Sequence, residues 1–428
     1  MPEDRLADWI RANGHSIAAL ELAAPLDDLA PLAELIGSAR VVGLGESAHH
    51  VREFYQLRHR ILRFLVERCG FTVLAMEAPF TESGLLDDWL DGGSGDVAAL
   101  ASAAVPAFSL GEVPELHEAL RWLREHNKRP DSTRIRYLGA DLPGSVGSPL
   151  PALTAIQPVL AVIDPEALPI LARATEIVSR FHDPAPMKVL FGYSTIDQAE
   201  RDALTAALAE LVARLHRLRN REYAKGRADE HMLATYQLRG AWLIDQLHRE
   251  MAVTGIETAS TFRDIYIAES IRRLLDRDPS TRIVLTAHNW HLMKAPEPFE
   301  ADELYPAGYH LAAELGADYR AIGLTARQGR TGIVADDITG ETGFPFKEAP
   351  LPPPESGATA AGKAIESAFP DSGLARIVDL HAAAEVGDAK EYSRMRTANY
   401  FFDQSAFACF DALCCVTETT GTEPTRSS

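Results

Sequence analysis

The sequence predicts an α/β protein: a largely parallel central sheet covered by helices, carrying a helical insertion or subdomain. Three observations carry that reading. Short β-rich runs recur along the 428 residues, helical patterns separate them, and the stretch 155–255 holds helical pattern with no convincing strand. Strands that alternate with helices need crossover connections, and crossovers place helices on both faces of a parallel sheet.

Residues 1–38 read as short helices packing on the body. The β-rich runs then follow in order: RVVGLG at 40–45, FTVLAME at 71–77, RIRYLGAD at 134–141, RIVLTAH at 282–288, YRAIGLT at 319–325 and FDALCCV at 410–416. After the first run, Phe54, Leu57, Ile61, Phe64 and Leu65 recur at helical spacing. Within the insertion, residues 197–224 and 231–251 repeat that spacing. The expected organisation is therefore a helical segment at 1–38, an α/β catalytic body from 39–154 and 256–424, a helical insertion at 155–255 forming part of the cleft, and a tail at 425–428. KEAPLPPPESGATAAGKA at 347–364 reads as an exposed loop, and TETTGTEPTRSS at the end reads as a tail.

Composition narrows the partners. The chain is 46% apolar and 24% charged, no uncharged apolar run is long enough to span a bilayer, and Met1-Pro2-Glu3-Asp4 opens no charged-then-apolar leader. A cytoplasmic protein without a membrane partner is expected. With 42 Lys and Arg against 61 Asp and Glu, the net charge is −19, which argues against nucleic acid or an anionic surface as the main partner. Of four cysteines, Cys409, Cys414 and Cys415 crowd one apolar run while Cys69 stands alone, and no CxxC occurs. Buried free thiols in a reducing compartment follow. The sequence sets no oligomeric state.

The stretch GLGESAHH at 43–50 puts an acid and two imidazoles in a strand-to-helix corner. Glu46 and His49 follow the first strand, Glu77 closes the second, Asp141 closes the third, and His288 with His291 follows RIVLT. In an open parallel sheet all strand C-termini share one edge, which is where ligands bind. Glu46, three residues before His49, is placed to orient that ring and fix its tautomer, the arrangement that makes imidazole an effective base. His50 points elsewhere from the next position. Arg58, on the following helix, is placed to hold a carboxylate, to polarise a carbonyl or to lie on a solvated face. His59, His117, His216 and His248 read as structural or surface histidines.

Competing chemistries lack their motifs. AHNWH at 287–291 resembles a metal pair, yet no HExxH is present and the Glu-x-x-His order at 46–49 has no second copy, so no metal or other cofactor is expected. No G-x-S-x-G elbow frames a serine, Cys69 sits in no catalytic context, and no GxxxxGK[ST] loop occurs. What remains is acid and base chemistry on a water molecule.

Two blocks, residues 43–80 and 262–294, resemble the erythromycin esterase family of macrolide-inactivating hydrolases, and FDALCCVTETTGTEP at 410–424 is similar to that family's final strand and tail. The resemblance implies an α/β body with an added helical region, and hydrolysis of a macrolactone ester without a covalent serine intermediate. It implies that His49 is the general base, Glu46 and Glu77 the site carboxylates, Arg58 the helix arginine, and His288 and His291 the later histidine pair. Arg263, Asp264 and Glu269 match a second polar signature, as substrate contacts or as a salt-bridge network. The catalytic set expected is His49, Glu46, Glu77, His288 and Arg58. The substrate-binding set is His291, Asp141, Arg263, Glu269 and His50, around a small-molecule ester or lactone. His50 departs from the small or aromatic residue of many relatives, and the insertion matches no family motif. Two other readings use the same residues: a tailoring hydrolase, cyclase or transferase acting on another natural product, and a binding protein in which His49, His288 and His291 hold a metal or another ligand.

Overall fold

A computed structural model describes residues 4–183, 186–254, 256–299, 302–334 and 346–423. Its strands are β1 (His15–Ile17), β2 (Val41–Leu44), β3 (Val73–Pro79), β4 (Arg136–Asp141), β5 (Ile283–Thr286), β6 (Glu297–Phe299), β7 (Asp302–Leu304), β8 (Tyr319–Val334), β9 (Phe346–Pro350), β10 (Ala375–Asp379), β11 (Met395–Thr397), β12 (Tyr400–Phe402) and β13 (Ala412–Thr419). The main sheet runs β1-β10-β13-β8-β2-β5-β3-β4, with β9 added on β8. From β13 to β4 every neighbour is parallel. These six parallel strands are the six β-rich runs of the sequence, so the expected fold class is the one observed.

Burial on both faces explains their composition. Successive side chains of a strand point to opposite faces. Val42, Leu44 and Val284 accordingly join one apolar layer with Phe54, Ile61 and Leu65 of the helix Arg52–Cys69. Val41, Ile283 and Leu285 join the opposite layer with Ile267 and Ile271 of the helix Ile256–Arg277 and Leu6 and Ile10 of the helix Arg5–Asn13. The helix Arg52–Cys69 stops at Gly70, whose left-handed φ of 72° closes the last turn onto the Leu65 carbonyl.

Between β4 and β5 the helices Leu150–Ile163, Leu168–Ser179, Pro186–Thr195, Gln198–Ala224 and Ala228–Thr254 precede Ile256–Arg277. Leu153, Ile156, Leu160, Leu208, Leu211, Leu215 and Leu238 form an apolar cluster of their own. A smaller cluster of Phe80, Leu142, Tyr236 and Tyr266 joins these helices to the ends of β3 and β4. The Tyr236 hydroxyl bonds the Tyr266 carbonyl at 2.8 Å and Ser270 at 2.6 Å.

Three expectations need correction. The segment 1–38 contains β1 besides its helices, an edge strand antiparallel to β10; at three residues β1 is too short to show a period, and β10 itself has no place in the list of β-rich runs. The loop at 347–364 begins as a strand: β8 runs on to Val334, and Phe346–Pro350 covers its edge in an antiparallel pair. Pro350 sits at the last position of that strand, where a missing N–H matters least. The tail expected from Thr417 is structured too. Thr417–Thr419 complete β13, Thr420 bonds Glu53 through both its N–H and its hydroxyl at 2.7 Å, and Thr422 N donates to the His50 carbonyl at 3.0 Å. Residues 1–3 and the tail proper, 425–428, lie outside the described residues. Cys409, Cys414 and Cys415 are buried and free, and Cys69 is half-buried and free. Among the described residues no helix is long and apolar enough to cross a membrane.

Candidate active site

The corner after β2 is built by a close approach. A Cβ on Gly45 would stand 2.0 Å from the Asn289 side-chain oxygen. That vacancy lets Asn289 staple the corner, its N–H donating to the Glu46 carbonyl at 2.7 Å and its amide to the Leu324 carbonyl of β8 at 2.8 Å.

Glu46 is buried beneath this corner. Its Oε1 accepts from His49 Nδ1 at 2.9 Å and pairs with Arg58 Nη1 at 3.1 Å. Burial pushes the Glu46 carboxyl up, but Arg58 and the His49 ring outweigh it, so the group is held below the ordinary carboxylate range. An ionised acceptor at Nδ1 assigns the His49 proton to that nitrogen and leaves the Nε2 lone pair available. His49 is half-buried, with the rings of Phe108, His288 and Phe346 at 5.3, 5.5 and 6.3 Å. Arg58 is buried on Glu46, so its nearest partner is that carboxylate.

A second cluster forms where β3 and β4 end. Arg263 donates to Glu77 Oε1 at 2.6 Å and to Asp141 Oδ2 at 2.7 Å. Glu77 Oε2 accepts the His288 backbone N–H at 2.7 Å. His291 Nδ1 lies 2.8 Å from Asp264 Oδ1, which also accepts the Ala307 N–H at 2.8 Å. His291 Nε2 stands between Arg263 Nη1 at 3.1 Å and Glu77 Oε1 at 3.5 Å. As a neutral ring it accepts from Arg263; as a cation it donates to Glu77. Burial lowers the His291 affinity for a proton, but Asp264, with Glu77 behind it, raises it above the ordinary histidine value. Burial would raise the Glu77 carboxyl, and His291, Arg263 and His49 together drive it far below the carboxylate range.

His288 is differently placed. Its Nε2–H donates to the Ser47 carbonyl at 3.1 Å, and its Nδ1 accepts the Trp290 N–H at 3.2 Å, capping the short helix Asn289–Leu292. Both ring nitrogens are occupied, and burial pushes the ring down to about 4, so it is neutral. His50 has a left-handed φ of 58° and gives its Nε2–H to the Phe108 carbonyl at 2.7 Å. Burial pushes it down to about 4 as well.

The structure thus joins Glu46, His49 and Arg58 in one cluster, and Glu77, Asp141, Arg263, His291 and Asp264 in another, with His288 between them. Glu269 is not joined to either; it pairs with Arg239 at 2.9 Å, half-exposed. Asn289, Phe108 and Phe346 complete the surroundings without having stood out in the sequence. Asn289 was in view between two histidines in AHNWH, whereas the phenylalanines carry no motif. Among the described residues no group of three or more His, Cys, Asp or Glu side chains is arranged to hold a metal ion.

The fold is shared with solved structures. A histidine-to-asparagine mutant of the erythromycin esterase EreC, in its open conformation, superposes with a TM-score of 0.81 at 22% identity, over 97% of this chain and 100% of that one. A protein from Bacillus cereus gives a TM-score of 0.81 at 20% identity over 98% of both chains. The chain belongs to the erythromycin esterase family, whose model matches residues 66–419. The curated erythromycin esterase type II of Escherichia coli is 29% identical over 337 residues, covering 77% of this chain and 79% of the relative. Type I, from the same organism, is 26% identical over 400 residues, covering 90% and 92%. Membership supports a hydrolase of the esterase type with a small-molecule substrate.

Proposed function

We propose that the protein hydrolyses the lactone ester of a macrolide, with His49 as the base that activates water. The observation that carries this reading is the pairing of His49 Nδ1 with a buried, arginine-held Glu46, which leaves Nε2 as the basic nitrogen. Two curated relatives named as erythromycin esterases support the substrate class. In the step proposed, a water oxygen bonds the carbonyl carbon as its proton passes to His49 Nε2. The oxyanion then collapses, the carbon to alkoxide bond breaks, and the His49 proton goes to the alkoxide, leaving an acid and an alcohol. Arg263, held by Glu77 and Asp141, and His291, made more basic by Asp264 and Glu77, are assigned to the oxyanion. Arg58 acts through Glu46 and not on the substrate. His288 positions the corner through Ser47.

Two further assignments belong to this reading. The helices of 155–255 form part of the cleft, and the enzyme works without a metal in the cytoplasm, a setting that suits buried free thiols. General base catalysis contributes about 10²- to 10⁴-fold, and positioning and electrostatics supply the rest. Mass spectrometry of a macrolide incubated with wild type and with His49→Ala tests the whole. Gain of one water with wild type alone is the expected result. Gain with both removes His49 as the base; gain with neither moves the substrate to another natural product.

A further inference from the structure

The turn Ala107–Glu112 holds two of the four non-glycine residues with positive φ among the described residues, Phe108 at 54° and Ser109 at 52°. The others are His50 at 58° and Ala398 at 44°. Three of the four, His50, Phe108 and Ala398, bear on the loop that carries Glu46 and His49. His50 belongs to it and bonds the Phe108 carbonyl, and Ala398 N donates to the Ser47 carbonyl at 2.7 Å. Left-handed non-glycine residues are costly and persist only where their surroundings over-determine them, and they gather at functional sites.

The turn is clamped at both ends. His50 Nε2–H holds the Phe108 carbonyl at 2.7 Å, and buried His117, on the helix Pro114–Asn127, holds the Gly111 carbonyl through Nε2 at 2.7 Å. Gly111 packs so tightly on the helix Val97–Ala104 that a Cβ there would stand 2.1 Å from the Ala101 carbonyl oxygen. This clamp delivers the Phe108 ring, 5.3 Å from the His49 ring and 5.8 Å from Phe346, whose own ring lies 4.4 Å from His50. Both phenylalanines are half-buried, so each keeps some surface open. Glu46 fixes one nitrogen of His49; one hydrogen bond leaves the ring free to rock, and a packed face removes that freedom. The same apolar surface thins the water around the pair and strengthens its electrostatics.

We propose that Phe108 is a positioning and specificity residue of this site: the clamped turn holds its ring against His49 and, with Phe346, walls the site with apolar surface. An ester carbonyl on an aliphatic framework fits such a wall, and a charged acyl group does not. The proposal rests on His49 being the general base.

Phe108→Gly removes the ring at a φ where glycine is at ease, so the turn survives the change; Phe108→Tyr keeps the ring. The expected result is that Phe108→Gly still melts cooperatively as a folded protein while kcat falls about tenfold or more, as displacement of a catalytic group does. Phe108→Tyr should stay near wild type, and the preference for aliphatic over charged acyl esters should shrink in the glycine variant alone. Wild-type kcat and selectivity in Phe108→Gly overturn the proposal. Should wild type turn over no ester, the reading of function has failed, and NMR of ¹⁵N-labelled histidine rings, with His49→Gln for assignment, still decides the positioning. A single sharp His49 signal that broadens or doubles in Phe108→Gly supports it; an unchanged linewidth refutes it.

Discussion

Arg263 and Glu77 stand 186 residues apart in sequence and 2.6 Å apart in the fold, where the guanidinium on the helix Ile256–Arg277 meets the carboxylate at the end of β3. Asp141 shares the same guanidinium, so one arginine balances two buried acids. Arg263→Gln takes the guanidinium from both, leaving Glu77 to His291 and the His288 N–H, and Asp141 to the Leu142 N–H. Breaking such a pair costs roughly 3–5 kcal/mol, and urea denaturation should show a loss of that size. Adding Glu77→Gln to Arg263→Gln should recover part of it. Additive losses in the double variant would show the pair is not coupled.

Glu46 sets the tautomer of His49, so Glu46→Gln should lower kcat by about 10²-fold or more while KM changes little. Steady-state kinetics on the substrate found by mass spectrometry check this. A KM effect with kcat intact would place Glu46 in binding instead.

In the proposed mechanism an imidazole, and not a metal, activates the water. Hydrolysis should therefore survive prolonged treatment with a chelator, and elemental analysis of the active protein should find no stoichiometric metal. Loss of activity on chelation with recovery on adding zinc would reverse the assignment.

Three buried histidines make the fold sensitive to mild acid. Burial lowers His50 and His288 from 6.5 to about 4, and His59 from 6.5 to about 3. Above 6.5 all three are neutral in both states and cost nothing. As pH falls below 6.5 the unfolded chain binds protons that the fold refuses, so stability declines until the folded values are reached. His291 works in the opposite sense, adding stability below 6.5 that is lost as pH rises through its raised value. Glu82 and Glu297, raised by burial to about 7, also add stability as pH falls through the same window, so the histidines' share is the part of the slope between pH 7.5 and about 4.5 that their replacement removes. His59→Gln should flatten that slope, and an unchanged slope would remove His59 from the account.

Gly45 leaves the space that Asn289 fills, and a Cβ at 2.0 Å from its oxygen must push the stapling amide aside. Gly45→Ala should destabilise by about 1–3 kcal/mol and lower kcat through displacement of Glu46. Thermal melting and kinetics together check it; a wild-type melting temperature would show that the corner repacks freely.

Much of this was legible in the sequence because parallel strands buried on both faces must be continuous apolar runs, as in Val41-Val42 and Ile283-Val284-Leu285. Charged groups at the ends of such runs, Glu46, Glu77 and Asp141, stand out against them for the same reason. What stayed hidden lacks that contrast. β1 and β10 lie at the antiparallel end of the sheet, β9 is rich in proline and charge, and Phe108 reaches His49 through a strained turn that no period announces. Arg58 was visible as a residue but not as a partner of Glu46, since its spacing fits a solvated helix face equally well.

β2 lies between β5 and β8, pairing Val41 with Ile283 on one side and with Tyr319 on the other. On the ribosome this strand emerges before either neighbour and finds them only after more than two hundred further residues have been made. Until then its two edges are open templates for intermolecular pairing. The Glu46–His49 corner is thus made long before its strand is paired, and the yield of active enzyme in a cell rests on how well that waiting strand is shielded.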